Sequence, residues 1–340
     1  MRRLLSLGVL TLCLMFAGVI QSAQSQATIR IKIGTMAPKD TLWHQLLQQM
    51  VQDWRTISGG RVTATIYTDG SQGDELEMLR KVRRGNLQSV ALSGSGLSFA
   101  EPGVNSLQIP MLISSYEELD YVAVRIAPKL ETMLAGKGLV VLNWSDVGWI
   151  HFFTKTPART LDDVRRMKLF IAAGDPEAEK LYRELGFRPV PMAVTDMVPN
   201  LQTGLIDAFD VPPLFALSGQ SFGLAKNMIA IKWAALVGAT VIDKGVWETI
   251  PADLRPKLIS AARAAGDRYR GEIRKQGDEA VTQMKKFGLQ VVEPDAALQK
   301  SWQTAAEAAY PKLRGGLVPA DLFDEVLRIR NEFRSRRSTP

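Results

Sequence analysis

Few side chains in this sequence are of the types that perform nucleophilic or metal-dependent chemistry. The histidines are His44 and His151, and the single cysteine is Cys13. A metal site built on two histidines would require both rings to meet together with a carboxylate, and an isolated histidine more often makes ordinary hydrogen bonds. We therefore expect neither a metal site nor a bound cofactor.

One short motif matches the nucleophile turn of serine hydrolases. Residues 219–223 read Gly-Gln-Ser-Phe-Gly, with Ser221 at the nucleophile position. In such hydrolases a buried strand leads directly into the turn, and the catalytic histidine follows the serine along the chain. Here no such strand is predicted, and both histidines precede Ser221. We expect no catalytic residues, and a secreted hydrolase that uses Ser221 is the minor alternative.

Backbone groups offer a further way to bind a ligand. Ser93, Gly94, Ser95 and Gly96 follow a short strand predicted at residues 89–92. The N–H groups of such a small-residue loop can bind a ligand. A phosphate-binding loop would also need a helix start and a lysine, and we expect neither to follow here. From the residues alone, a ligand-lining loop and a plain turn remain alternatives.

The elements that must position these residues alternate between strand and helix. Ile29, Ile31 and Ile33 alternate with polar residues as in a strand, and residues 42–57 have apolar residues at helical spacing. The same succession continues along the chain. Repeated β-α-β units predict an α/β fold of mostly parallel sheets flanked by helices, with ligands held outside the strand ends.

The order of elements suggests two lobes. We predict a boundary near Val147 and Gly148, and the apolar run at residues 233–242 reads as a core strand that returns to the first lobe. Two crossings between the lobes would form a hinge. The predicted first lobe comprises residues 28–147 and 233–268, and the second comprises residues 148–232 and 269–340 with the C-terminal helices.

The start of the chain has the parts of a secretory signal. Residues 1–27 contain a basic end, an apolar run and small residues suited to cleavage. The apolar run, residues 4–20, lies at the short edge of what can span a bilayer, so an uncleaved anchor is the alternative. Cleavage would remove Cys13, and the exported chain would then form no disulfide and use no thiol nucleophile.

Composition and charge further restrict the classes of function that the sequence allows. Of the 340 residues, 46% are hydrophobic and 23% are charged, as in ordinary globular proteins with real cores. The formal net charge is +7, but aromatic and basic residues are not interleaved as in nucleic-acid-binding segments. We therefore expect no nucleic-acid partner.

Turn and helix signals are densest at residues 189–213, which read PVPMAVTDMVPNLQTGLIDAFDVPP. They predict a helix with Leu201 and Leu205 on one face, and Gly204 suits a left-handed helix end. A brief apolar strand over residues 205–209 follows, and the double proline prevents its extension.

This segment resembles a signature of the solute-binding subunits of tripartite ATP-independent periplasmic (TRAP) transporters, the DctP-type family. A second match lies in the helix predicted at residues 75–84, and the opening run at residues 31–44 also fits. The resemblance covers nearly the whole chain after the signal. The matching residues are Pro189, Pro191, Met192, Leu201, Gln202, Thr203, Gly204, Ile206, Asp207 and Pro212, and upstream Gly73, Asp74, Glu75, Met78, Leu79, Val82, Gly85 and Leu87.

The resemblance implies a two-lobe periplasmic binding protein with a hinge and one long helix that spans both lobes. It implies that a small molecule is captured in the cleft between the lobes and delivered to membrane permease subunits, with the protein located in the periplasm. It also implies that the loop containing Ser93 and Ser95 lines the cleft.

This sequence departs from the family pattern where an acid would be bound. The resemblance implies an arginine in a Lys-x-Arg-Val strand, whose guanidinium can hold a carboxylate through two parallel hydrogen bonds. Phe170 stands in its place, a second arginine would fall near Ile150 or His151, and Val211 replaces an asparagine. We therefore expect a ligand that is apolar or lacks an essential carboxylate.

Several alternatives to this ligand remain open. The aromatic residues could be ordinary core, an acid could be bound by a relocated cation from Lys39, Arg80 or Lys232, or the protein could be a scaffold without a ligand. The variant motif at residues 168–176 resembles a branch of the family with hydrophobic ligands and a periplasmic partner built of tetratricopeptide (TPR) repeats. The predicted ligand-binding residues are Trp43, Ser93, Ser95, Trp149, Phe152, Phe170, Val211 and Trp233.

Overall fold

A computed structural model describes residues 28–337 of the chain. Its strands are β1 (Ile29–Thr35), β2 (Val62–Tyr67), β3 (Ser89–Ser93), β4 (Leu139–Trp149), β5 (His151–Thr154), β6 (Lys168–Ala172), β7 (Arg188–Met192), β8 (Ala208–Val211), β9 (Asn227–Ile229), β10 (Ala235–Asp243) and β11 (Gln290–Val292). Its α-helices are α1 (Leu42–Ile57), α2 (Glu75–Arg83), α3 (Gly94–Ser98), α4 (Tyr116–Gly136), α5 (Leu161–Arg165), α6 (Pro176–Glu184), α7 (Met197–Thr203), α8 (Pro213–Ser218), α9 (Lys244–Thr249), α10 (Arg255–Lys286), α11 (Ala296–Leu313) and α12 (Ala320–Arg337).

The strands form two separate sheets, each flanked by helices. The first sheet has the order β2-β1-β3-β10-β4, and the second has the order β11-β9-β5-β8-β6-β7. Each sheet contains one strand that is antiparallel to both of its neighbours, β10 in the first and β5 in the second. The predicted two-lobe α/β fold is confirmed, with one reversed strand in each otherwise parallel sheet.

The chain crosses between the sheets where β4 leads into β5 and where β9 leads into β10. The two crossing segments are hydrogen-bonded to each other, because Ile150 N donates to Ala234 O at 2.9 Å and Trp233 N donates to Ile150 O at 2.9 Å. Strand β4 continues without interruption to Trp149. The predicted boundary at Gly148 therefore lies inside a strand rather than in a linker.

Helix α10 is a third connection between the lobes. Near its start, Leu258 and Ala262 are buried in the core that α1 and β1 form in the first lobe. Near its end, Met284 is buried in the core of the second lobe. This is the long helix that the family resemblance implies.

The C-terminal helix packs differently from the predicted grouping of residues 269–340 with the second lobe. Helix α12 lies along α4 of the first lobe. Its apolar face joins the core beneath α4, and Lys129 Nζ lies 2.9 Å from Asp321 Oδ2 and from Glu325 Oε2. Burial of that apolar face against α4 determines the location of α12, and sequence order does not reveal it.

The helix predicted around residue 201 is present as α7 and ends as expected. Gly204 has the left-handed backbone conformation, with φ of 78°. Leu201 is fully buried, but Leu205 is 51% exposed. The prediction that both leucines lie on one helix face is wrong, because α7 ends at Thr203 and the left-handed turn at Gly204 redirects the chain before Leu205. The strand that follows, β8, begins at Ala208 and ends before the double proline.

No helix between residues 28 and 337 is both long and apolar enough to cross a bilayer. The predicted signal segment, residues 1–27, lies outside the described residues.

Candidate functional site

A cavity of about 310 Å³ lies between the two lobes. Its walls come from the ends of β1 and β3 and from α1 and α2 of the first lobe, and from β6, β8 and α6 of the second. The crossing segments around Ile150 and Trp233 form part of its wall. Six of the predicted ligand-binding residues line it, namely Trp43, Ser93, Ser95, Phe170, Val211 and Trp233.

The two tryptophans of the wall are held by contacts outside the cavity. Trp43 on α1 donates its Nε1–H to the backbone oxygen of Asp146 at 3.1 Å. Trp233 packs edge-on against Phe152 and Trp302, with ring centroids 5.7 Å and 5.6 Å away. Both rings are therefore fixed before any ligand enters.

Phe170 and Val211 reach the cavity from the second sheet. Phe170 lies in β6, pairs in register with Val190 of β7 and is 6% exposed. Val211 is the last residue of β8 and lies opposite His151 of β5. The positions where the family resemblance implies an arginine and an asparagine thus lie on the cavity wall, and apolar side chains occupy them.

The structure does not place Trp149 and Phe152 in the cavity. Trp149 is buried in the first-lobe core, where its ring centroid lies 5.3 Å from that of Tyr116. Phe152 is fully buried between the second sheet and α11, with its centroid 5.0 Å from that of Trp302. For these two residues the prediction is wrong, since both side chains fill a lobe core, and Ile150 between them lines the cavity instead.

Three acidic side chains line the cavity, and sequence analysis did not select them as site residues. They are Glu75 at the start of α2, Asp175 before α6 and Asp210 in β8. No lysine or arginine belongs to the cavity wall within residues 28–337. The three carboxyls belong to sequence motifs that match the family. That they line the same cavity is visible only in the structure, where the two lobes face each other.

The acidic groups are bound to uncharged partners. Glu75 accepts hydrogen bonds from Ser93 N at 2.5 Å and from Ser93 Oγ at 2.7 Å. Asp210 accepts a hydrogen bond from the hydroxyl of Tyr182 at 3.0 Å. Burial raises the pKa of Glu75, and burial raises the pKa of Asp210 to about 7. Both pKa values rise because burial removes the ionised carboxylate from water.

The three cations proposed for an acid-binding alternative are not on the cavity wall. Lys39 is exposed. Arg80 is exposed, with Nη1 3.7 Å from Glu77 Oε2. Lys232 is exposed and lies over the ring of Trp149, 5.2 Å from its centroid.

The small-residue loop after β3 does start a helix, contrary to prediction. Ser93 caps the short helix α3 by accepting a hydrogen bond from Gly96 N at 3.1 Å. Its hydroxyl also donates to Glu75, so the loop is tied to the acidic side of the cavity. No lysine follows in α3, as expected from the sequence.

The remaining candidates for chemistry lie apart from one another. Ser221 is buried, and its hydroxyl donates to Ala216 O at 3.4 Å. His44 Nδ1 accepts a hydrogen bond from Asp40 N at 3.0 Å. His151 Nδ1 has no hydrogen-bond partner among residues 28–337, and burial lowers the pKa of this residue to about 4. The described part of the chain contains no group of three or more His, Cys, Asp or Glu residues arranged to hold a metal ion.

Comparison with known proteins places this architecture in a family. The model of bacterial extracellular solute-binding protein family 7, DctP, matches residues 33–315. The 2,3-diketo-L-gulonate-binding periplasmic protein of Escherichia coli K12 is 23% identical over 288 residues, covering 83% of this chain and 87% of that protein. The C4-dicarboxylate-binding periplasmic protein DctP of Rhodobacter capsulatus is 27% identical over 236 residues, covering 68% of this chain and 70% of that protein.

Solved structures share the fold. A TRAP periplasmic solute-binding protein of Xanthobacter autotrophicus Py2 with bound β-D-galacturonate has a TM-score of 0.82 at 20% identity, covering 88% of this chain and 99% of that chain. The sugar acid-binding protein of Advenella mimigardefordensis in complex with galactonate has a TM-score of 0.84 at 17% identity, covering 90% of this chain and 99% of that chain. The family match covers most of the sequence, and this chain belongs to the bacterial extracellular solute-binding protein family 7, DctP.

Proposed function

We propose that this protein is the solute receptor of a TRAP-type secondary transporter. It captures a small molecule in the cavity between its lobes and delivers it to the membrane permease subunits. The observation that carries this proposal is the 310 Å³ cavity whose walls come from both lobes. Ligand contacts made to both walls stabilise the closed arrangement, so binding shifts the population toward it.

The receptor acts in the periplasm after export by the signal at residues 1–27. Its relatives in Escherichia coli and Rhodobacter capsulatus are periplasmic proteins, which supports this location. The motif at residues 168–176 further motivates a periplasmic TPR-repeat partner, and pull-down from periplasm with the purified receptor tests that association.

The ligand lacks an essential carboxylate or is mainly apolar. Phe170 and Val211 present apolar surface to the cavity, and no basic residue among those described lines it. A carboxylate placed there would lose its hydration without gaining a positive partner, at a cost of several kcal/mol. It would also face the carboxyls of Glu75, Asp175 and Asp210.

An acid ligand held by a relocated cation is the second candidate. Relatives that bind a diketogulonate, a galacturonate and a galactonate favour it. It would require Lys39, Arg80 or Lys232 to move to the cavity wall.

Thermal-shift screening separates the two candidates, because a ligand that binds only the folded state raises the melting temperature. We expect stabilisation by apolar or uncharged compounds and none by C4-dicarboxylates, sialic acid, keto acids or uronates. Strong stabilisation by a simple acid alone would establish the second candidate. If no compound class stabilises the protein and none is carried through purification, the scaffold alternative holds and the receptor function fails.

A further inference from the structure

We infer that the ligand of this cavity is an organic cation with an apolar body, such as a protonated amine or a quaternary ammonium compound. This inference rests on the receptor function proposed above and narrows its ligand class. It follows from the side chains that face each other across the cavity.

The first step concerns the negative groups. Glu75 belongs to the first lobe, while Asp175 and Asp210 belong to the second, so carboxyls approach the ligand space from both sides. Asp175 also caps α6, where its Oδ1 accepts from Ala178 N at 3.0 Å. In the described ranges none of the three forms an ion pair, although ion pairs are frequent elsewhere on this chain. Carboxyl groups therefore line the site without a positive counterpart from the protein, and a bound cation would stabilise their ionised form.

The second step concerns the aromatic groups. An organic cation is attracted to the faces of aromatic rings, and this attraction strengthens when water is excluded. Aromatic residues and carboxyls line the same cavity, and these are the two kinds of group that recognise an ammonium group, while the rings can also contact an apolar body. The aromatic residues of the wall are Trp43, Phe99, Phe170, Tyr182, Phe215 and Trp233.

The third step concerns the uncharged polar side chains of the wall. Thr240 on β10 lines the cavity and is 2% exposed. Asn105 also lines the cavity and is buried. Its amide nitrogen donates to Leu317 O at 3.3 Å. A hydroxyl and an amide oxygen on this wall can accept hydrogen bonds from a ligand donor.

The fourth step excludes simpler occupants. A cavity of 310 Å³ with mostly apolar walls exceeds the needs of a bare metal ion. An anion would meet three carboxyls and no basic group. A neutral apolar ligand would leave those carboxyls with their hydrogen-bond donors but without a positive charge nearby, which disfavours their ionised form. A cation with an apolar body can interact both with the carboxyls and with the apolar side chains of the wall.

The test compares three probes of nearly equal size by isothermal titration calorimetry on the purified protein. They are 2-phenylethylamine, which is cationic at neutral pH, the neutral 2-phenylethanol and the anionic 3-phenylpropionate. Choline and its neutral analogue 3,3-dimethylbutan-1-ol form a second pair that distinguishes quaternary from primary ammonium groups. We expect at least one cation to bind about tenfold or more tightly than its neutral analogue, and the acid not to bind.

Variants of two cavity carboxyls test whether the preference for a cation over its neutral analogue arises in the cavity. Asp210→Asn and Glu75→Gln each replace a carboxyl that can ionise beside a bound cation with an amide of the same shape. Each is expected to weaken cation binding about tenfold while leaving 2-phenylethanol binding within about twofold. Asp253→Asn is the matched control, because Asp253 is exposed and lies outside the cavity. Circular dichroism of each variant verifies folding.

The outcomes distinguish this inference from the receptor function. Equal or tighter binding of the neutral or acidic probe, or binding of no cation, overturns the cationic ligand. In that case a co-purified neutral or acidic molecule that stabilises the protein still supports a receptor. Cation binding that is unchanged in Asp210→Asn and Glu75→Gln also overturns the inference, because the charge would then act from outside the cavity.

Discussion

At the scale of single residues, the site depends on what stands at Phe170 and on what surrounds Asp210. The sequence shows that an apolar ring replaces the guanidinium of the family pattern, and the structure places that ring on the cavity wall. The acidic character of the cavity could not be predicted in the same way. Glu75 and Asp210 are far apart in sequence, and their shared environment arises only when the lobes meet.

Asp210 should make the stability of the empty protein depend on pH. Burial raises its pKa to about 7, so between pH 5 and 7 the folded protein holds a proton that the unfolded chain has released. Stability contributed at this site is therefore present at low pH and lost as pH rises through about 7. Replacement by Asn removes this pH dependence. The free energy of unfolding of Asp210→Asn, relative to that of the wild type, should therefore rise by about 2–4 kcal/mol from pH 5 to pH 8.

Urea unfolding of both proteins at pH 5 and pH 8 measures this difference. The groups nearest Asp210 do not obscure it. In the folded protein burial raises the pKa of Tyr182 well above 10 and lowers the pKa of His151 on β5 to about 4, so neither changes charge in this window. The titration of His151 in the unfolded chain is the same in both proteins and cancels in the comparison. Glu75 and Asp175 are common to both proteins. A stability difference that is the same at both pH values would show that Asp210 is not held as described.

At the scale of elements, local signals predicted where helices end better than where they pack. Gly204 terminates α7 because a left-handed residue ends a helix regardless of context. The continuation of β4 to Trp149 was missed because its pairing partner, β10, lies about ninety residues later. The position of α12 on α4 was missed for the same reason, since an apolar face does not identify its partner.

The packing of α10 on β4 predicts opposite effects of one substitution at two glycines. A Cβ on Gly266 would lie 2.9 Å from Trp144 O, whereas a Cβ on Gly271 would have no atom within 4 Å. Gly266→Ala should therefore destabilise the protein by about 1–3 kcal/mol through overpacking. Gly271→Ala should stabilise it by about 0.5–1 kcal/mol through helix propensity. Chemical denaturation measures both, and a gain at Gly266 would refute this packing.

Helix α10 is also linked to strand β4 by an ion pair between Arg274 and the buried carboxylate of Asp146. Arg274 Nε donates to Asp146 Oδ2 at 2.5 Å, and its Nη atoms pair with Asp120 at 2.5 Å and 2.8 Å. Arg274→Met would leave the carboxylate of Asp146 buried with only Arg270 nearby, at 3.9 Å. We expect a loss of about 2–4 kcal/mol in the free energy of unfolding.

Arg268→Met is the matched control for that change. Arg268 lies on the same helix and is exposed, so its replacement should alter stability by less than about 0.5 kcal/mol. Thermal and urea unfolding of the two variants provide the comparison. Equal effects at both positions would mean that the Arg274 contacts contribute no specific stability.

At the scale of the whole molecule, two lobes joined by three crossings enclose a cavity that neither lobe forms alone. The alternation of strands and helices predicted the lobes, and the return of the chain near residue 233 predicted the second crossing. It was harder to predict which aromatic residues line the cavity, because an aromatic side chain is equally suited to the core of a lobe. Trp43 and Trp233 line the cavity, while Trp149 and Phe152 fill lobe cores.

The most direct test of the central claim is native mass spectrometry of the protein purified with its own cargo, followed by a crystal structure of that complex. The account predicts a small ligand without a carboxylate, seated against Phe170 and Val211, with a positively charged group facing Asp210. A bound carboxylate held by a lysine or arginine inside the cavity would contradict it.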